Sequence, residues 1–219
     1  MNRLLGLVAG AVLLAGGAYY YSTQSNSTAG LLPGAANAQS TTADSVEIQE
    51  MFLGSETAPI TVVEYASYTC PHCARFHEGA FKQLKTDFID TGKVKFVYRE
   101  VYFDRPGLWA SMLARCGGET RFFGISDMLY SQQRQWTASG DPAQIAEALR
   151  KIGRTAGMDD ATLDACLTDA TKAQSLIAWF EENAAEDGIR STPSFIIDGK
   201  LHSNMAYSEF AELLNDKLN

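Results

Sequence analysis

The residues of this chain with the most specific chemistry are Cys70 and Cys73, separated by two residues in Cys70-Pro71-His72-Cys73. Thiols at that spacing, at the mouth of a strand and the start of a helix, can close a small disulfide and exchange it with the thiols of another protein. Cys70 would sit at the helix N-terminus, where unpaired backbone N–H groups and the helix dipole stabilise a thiolate. Its pKa is therefore expected well below that of a free cysteine. The helix terminus supplies about 1–2 kcal/mol of that preference, and a positively polarised or protonated His72 would add a similar amount. Cys73 falls on the buried stripe of the helix and should stay a less reactive thiol that resolves mixed disulfides.

Other uses of the same residues fit less well. Covalent haem would need a histidine at position 74, where Ala74 stands. Structural zinc could recruit Cys70, Cys73 and His77, at i, i+3 and i+7, but a second ligand pair at suitable spacing is missing. An iron–sulfur cluster would need further cysteines nearby. No metal and no cofactor is expected. Two core cysteines without redox chemistry would not need a helix start. His77 and His202 read as surface or capping residues without a role, and Trp109, Trp136 and Trp179 as core or groove aromatics. Tyr65 and Tyr68 flank the active-site strand and either line a peptide groove or pack the core.

The elements that must position the motif are legible around it. Ile60 to Ala66 is mostly apolar and β-branched, a central strand buried on both faces, and it leads straight into Cys70. From Pro71, the positions Cys73, Phe76, Ala80, Phe81, Leu84 and Phe88 recur at helical spacing, and Gly92 supplies a stop. Val94, Phe96 and Tyr98 alternate as a second strand, so strand, helix and strand imply a right-handed parallel crossover. From about Asp104 to Asp187 the pattern is helical throughout, with Asp141-Pro142-Ala143-Gln144 as a capped helix start. A last helix there carries Ala173, Leu176, Ile177, Phe180 and Ala184 on one face. Ser194 to Ile197 then meets the hairpin turn Asp198-Gly199, and Ser208 can cap a terminal helix. Helices thus interrupt a sheet whose halves are distant in sequence. The expected class is α/β with an inserted all-helical subdomain.

Composition bounds the partners. The chain has 219 residues, 46% of them apolar, enough to bury a substantial core, and its formal charge of −8 leaves no broad positive field for nucleic acid. Residues 4 to 43 carry no charge, and Leu4 to Tyr21 is an almost unbroken apolar run, so residues 1–43 read as a signal peptide or N-terminal membrane anchor plus linker. Ala36-Asn37-Ala38 would suit a signal peptidase but lies far beyond the apolar run, which keeps an uncleaved anchor open. The remaining boundaries expected are 44–103 and 188–219 for the two parts of the sheet domain and 104–187 for the helical insertion. Export would place the chain in an oxidising compartment, the periplasm, either soluble or tethered to the inner membrane.

Cys70-Pro71-His72-Cys73, the acidic Glu64 six residues before it, the helical insertion and Thr192-Pro193 ahead of an apolar strand together resemble the DsbA-like thiol:disulfide oxidoreductases of the thioredoxin superfamily. The resemblance covers roughly residues 45 to 219. It implies a thioredoxin fold, a cis Pro193 facing the active-site disulfide, a Thr192 that offers its backbone to an extended substrate, and a Glu64 that is the buried proton acceptor near Cys73. The neighbours Val62, Val63 and Ala66 independently favour burial of Glu64. Cys116 and Cys166 lie on apolar helix faces inside the insertion and either pair or stand reduced. An oxidising compartment favours the bridge, as does a similar arrangement in some relatives. The implied function is donation of the Cys70–Cys73 disulfide to reduced or unfolded exported proteins by a monomer that a quinone-linked membrane oxidase of the DsbB type reoxidises. Two rivals stay open: a disulfide isomerase or reductase of the DsbC/DsbG type, since Thr192 beside Pro193 occurs in isomerases too, and a non-catalytic, membrane-tethered peptide-binding chaperone.

Overall fold

The computed structural model describes residues 45–218. The expected signal or anchor at residues 1–43 lies outside the described residues. Five strands form one mixed sheet in the order β1-β3-β2-β4-β5: β1 (Met51–Leu53), β2 (Ile60–Ala66), β3 (Val94–Glu100), β4 (Ser194–Ile197) and β5 (Lys200–Ser203). β2 and β3 run parallel, with Ile60 opposite Val94 and Glu64 opposite Tyr98, and the other pairings are antiparallel. The parallel pair follows from the helical crossover between them, α1 (Pro71–Glu78), α2 (Ala80–Leu84) and a π-helical turn at Lys85–Ile89. The single helix read from the sequence is therefore broken at Gly79, whose backbone leaves helical geometry at φ −121° and ψ −89°. Gly92, at φ +75°, ends the segment in a conformation that glycine adopts without strain.

Between β3 and β4 the described chain is helical: α3 (Arg105–Cys116), α4 (Gly118–Ser131), α5 (Gln133–Trp136), α6 (Pro142–Thr155), α7 (Asp160–Leu167) and α8 (Ala170–Glu186). Aspartates start four of these helices. Asp104, Asp141, Asp159 and Asp169 each accept from the backbone N–H three residues on, at 2.7–2.9 Å. The Asp198-Gly199 turn has both residues at positive φ, +47° and +77°, as a two-residue hairpin requires. The terminal helix α9 (Tyr207–Leu218) begins two residues earlier than a Ser208 cap implies. Ser208 lies inside it, and the cap contact is made instead by Glu209, which accepts from the Ala206 N–H at 3.1 Å.

Alternation along β2 divides the interior. Val62 and Ala66 face the main core with Cys73, Phe76, Leu84, Phe195 and Phe210, and this core runs on into the insertion through Leu113, Phe122, Leu129 and Leu149. Tyr65 and Val63 face the opposite side, a smaller cluster with Ile196 closed by Phe180 and Ala184 of α8. The expected apolar face of α8 is thus present, although Ile177 stays at the surface. β1 is not legible in the sequence: its three residues are too few to show a period. Among the described residues, no helix is long and apolar enough to cross a membrane.

Candidate active site

The end of β2 delivers Cys70 to the N-cap of α1. Its backbone is extended, at φ −81° and ψ 118°, Pro71 opens the first turn, and the Cys70 carbonyl accepts the first helical bond from Ala74 at 3.1 Å. The Cys70 N–H donates to Ser67 at 3.1 Å, which ties the loop down on its other side. The insertion contributes as well. Gln133, buried on α5, donates to the carbonyls of Tyr68 at 2.8 Å and Cys70 at 3.0 Å, so a residue some sixty positions away fixes the approach to the nucleophile. Sequence reading misses Gln133, because a lone glutamine on a helix carries no signal until its partners are known.

The two sulfurs are in unlike surroundings. Cys70 is half-buried and Cys73 is fully buried. The Cys73 thiol hydrogen-bonds to the Cys70 sulfur, the Thr192 side chain and the backbone N–H groups of Cys73 and His72 add to this, and partial burial opposes it; the Cys70 pKa is lowered to about 5. Burial, the hydrogen bond to Cys70 and the nearby Glu64 push the Cys73 thiol well above the ordinary thiol range. One sulfur is thus held ready as an anion beside solvent, and the other is kept protonated in the core.

Thr192 and Pro193 reach the same place from the far part of the chain. Their peptide bond is cis, and the Thr192 carbonyl lies 3.5 Å from the Cys70 sulfur. His72 is exposed, and its Nδ1 lies 2.8 Å from Nη2 of Arg75. A guanidinium only donates, so Nδ1 accepts there, and His72 meets Cys70 through its backbone rather than through its ring. Pro71, Ala74 and Arg75 also wall a cavity of about 240 Å³ with Glu78, Tyr130, Gln133 and Arg134.

Glu64 lies behind Cys73, on the α1 face of the central strand, at 0% exposure. Its Oε2 is 2.8 Å from Nε2 of His77, and its Oε1 has no partner among the described residues. His77 is not the surface residue expected: it is 4% exposed, sandwiched between Phe81 and Tyr130, whose ring stacks on it at 4.2 Å. A signal for this exists, since His77 lies four residues after Cys73 and so on the same buried stripe. Tyr68 and Tyr65 line no groove. Tyr68 is buried and shares a 2.7 Å hydrogen bond with Ser126, and the Tyr65 hydroxyl donates to Asp187 at 2.5 Å.

Cys116 and Cys166 are apart from this site, joined as a disulfide across a separation of 50 residues with Cα atoms 5.9 Å apart. They tie the end of α3 to the end of α7.

Comparison with known proteins agrees with this architecture. The family profile described as Thioredoxin matches residues 46–216. A Rickettsia bellii protein, provisionally named a protein-disulfide oxidoreductase, is 33% identical over 171 residues, 78% of this chain and 65% of that one. This chain therefore spans about two thirds of that relative's length. Disulfide bond formation protein D of Bacillus subtilis is 30% identical over 178 residues, covering 76% of each chain. The crystal structure of Wolbachia pipientis alpha-DsbA1 superposes with a TM-score of 0.71 at 24% identity, over 78% of this chain and 92% of that one, which supports the shared fold. With a thioredoxin sheet, a helical insertion and a Cys-Pro-His-Cys helix start in place, the chain belongs to the thioredoxin family.

Proposed function

We propose that the chain is an exported thiol:disulfide oxidase that donates the Cys70–Cys73 disulfide to reduced cysteines of translocated proteins. The observation that carries this reading is the inequality of the two sulfurs: Cys70 half-exposed at a helix N-terminus and favoured as a thiolate, Cys73 buried and favoured as a thiol. A substrate thiolate attacks the Cys70 sulfur of the disulfide, the Cys70–Cys73 bond breaks, and the electron pair leaves on Cys73, which takes up a proton. A second substrate thiolate attacks the substrate sulfur of the mixed disulfide and Cys70 leaves as a thiolate. The substrate is oxidised by two electrons and the enzyme reduced by two. Because Cys70 is stable as an anion it is a good leaving group, and the reduced enzyme is the favoured product.

Pro71 and His72 supply the first turn that points its N–H groups toward Cys70. Thr192 and Pro193 face the mixed disulfide, with the Thr192 carbonyl placed to accept from an extended substrate backbone. Glu64 serves as the proton acceptor for Cys73 when the reduced pair is reoxidised. The Cys116–Cys166 bridge is structural. In this reading the N-terminal 43 residues direct or tether the protein to the periplasm, residues 104–187 form the insertion between the two sheet parts at 44–103 and 188–219, and the monomer is reoxidised by a quinone-linked membrane oxidase of the DsbB type.

Three assays run together test the reading: refolding of reduced ribonuclease, recovery of scrambled ribonuclease, and reduction of insulin. An oxidase accelerates the first most. Predominant recovery of the scrambled protein would reassign the chain as an isomerase, and no exchange in any assay would leave a peptide-binding protein.

A further inference from the structure

Donation of the disulfide leaves a problem at Cys73. The sulfur that departs is fully buried beside a carboxyl group, where an anion is disfavoured by desolvation and by Glu64. A proton has to reach it from within the core. Cys70 is no source, because at that moment its sulfur is bonded to the substrate and carries no proton.

The groups packed around this spot can be taken one element at a time. The loop before α1 brings Tyr68, β3 brings Tyr98, and α4 brings Tyr130, and burial drives all three phenols far above neutral pH. α2 and β4 bring the apolar rings of Phe81 and Phe195. Glu100, further along β3, is bound by Arg115 at 2.6 Å and acts on the tyrosines only through its charge. Glu64 on β2 and His77 on α1 are left, joined at 2.8 Å, with one carboxylate oxygen unpartnered among the described residues. Tyr130, whose ring covers His77, is also a wall of the 240 Å³ cavity beside Pro71, which gives the pair a nearby path for proton resupply.

We infer that Glu64 and His77 act as one proton-holding pair, in which the His77 ring keeps a proton on the Nε2–Oε2 hydrogen bond and Glu64 passes it to the Cys73 sulfur as the disulfide opens. The inference rests on the exchange reading above and adds a residue to it. In the opening step the substrate thiolate bonds to Cys70, the S–S electron pair leaves on Cys73, and the proton moves from the pair to that sulfur. Solvent restores it through the cavity. In reoxidation the same proton returns to the pair as Cys73 attacks. His77 touches no reacting sulfur, so it is a positioning residue that acts through Glu64.

The test is stopped-flow reduction of the disulfide form of the full chain by dithiothreitol, with rates normalised to dithiothreitol thiolate. Wild type, His77→Gln, Glu64→Gln and the double variant are compared across roughly pH 5 to 8. The wild-type rate should fall toward high pH, because opening the disulfide consumes a proton that the pair supplies. His77→Gln should be about tenfold slower at neutral pH and lose this dependence, with the Cys70 titration unmoved. Glu64→Gln should flatten the profile in the same way, and the double variant should be no slower than the slower single one. Either single variant is decisive if it folds, since a profile matching wild type overturns the inference alone. A wild-type protein in which Cys70 fails to react overturns the exchange reading and the inference with it.

Discussion

The chain holds two cysteine pairs at opposite ends of helices, and the contrast explains why one can be reactive and the other structural. Cys70 sits at the N-terminus of α1, where free N–H groups favour a thiolate. Cys116 closes α3 and Cys166 lies in the last turn of α7, where the carbonyl ends of the dipoles disfavour one. The first pair spans three residues and is asymmetric, with one sulfur open and one buried. The second spans 50 residues and locks two helices of the insertion together. Opening the first bridge creates a stable anion. Opening the second creates none, and it frees a long loop.

Substitutions should separate the two pairs most sharply in activity. Cys70→Ser should abolish exchange in the ribonuclease and insulin assays, whereas Cys116→Ala with Cys166→Ala should keep most of it. A double variant as inactive as Cys70→Ser would mean that the second pair takes part in the chemistry. Stability should invert the order. Loss of the Cys116–Cys166 bridge should cost about 4 kcal/mol in urea unfolding by chain-entropy reasoning, while reduction of Cys70–Cys73 at neutral pH should raise stability.

That gain should depend on pH with a definite sign. A thiol whose folded pKa lies below its unfolded value stabilises the fold in full above the unfolded value, and the contribution is lost as pH falls through the folded value. For Cys70 the window runs from the ordinary thiol value of about 8.5 down to about 5. The excess stability of the reduced over the oxidised protein should therefore shrink as pH falls across that range and vanish below it. Paired melting curves would check this, and an excess that grew toward acid would contradict it. The smallest effect is expected from His72→Ala. Its backbone N–H remains and its ring contacts Arg75 rather than Cys70, so the Cys70 titration should rise by less than about one unit, a difference of under about 1.4 kcal/mol.

Most of the reactive region is legible in the sequence, because local rules fix it. A β-branched run, a Cys-Pro-His-Cys helix start, aspartate caps and an Asp-Gly turn each carry their own geometry. Glu64 is readable for the same reason, since a carboxylate on a central strand has nowhere to go but inward. What escapes depends on partners far along the chain. β1 exists because β3 offers it an edge, Gln133 matters because two loop carbonyls need a donor, and His77 is buried because Tyr130, from the insertion, covers it. The break at Gly79 is hidden by a hydrophobic stripe that continues across it.

The central claim is that Cys70 is anionic where an ordinary cysteine is not. Thiolate ultraviolet absorbance of the reduced protein, followed against pH with the oxidised protein as baseline, tests it directly. A midpoint of about 5 is predicted, and a midpoint at the free-thiol value of about 8.5 would contradict the account.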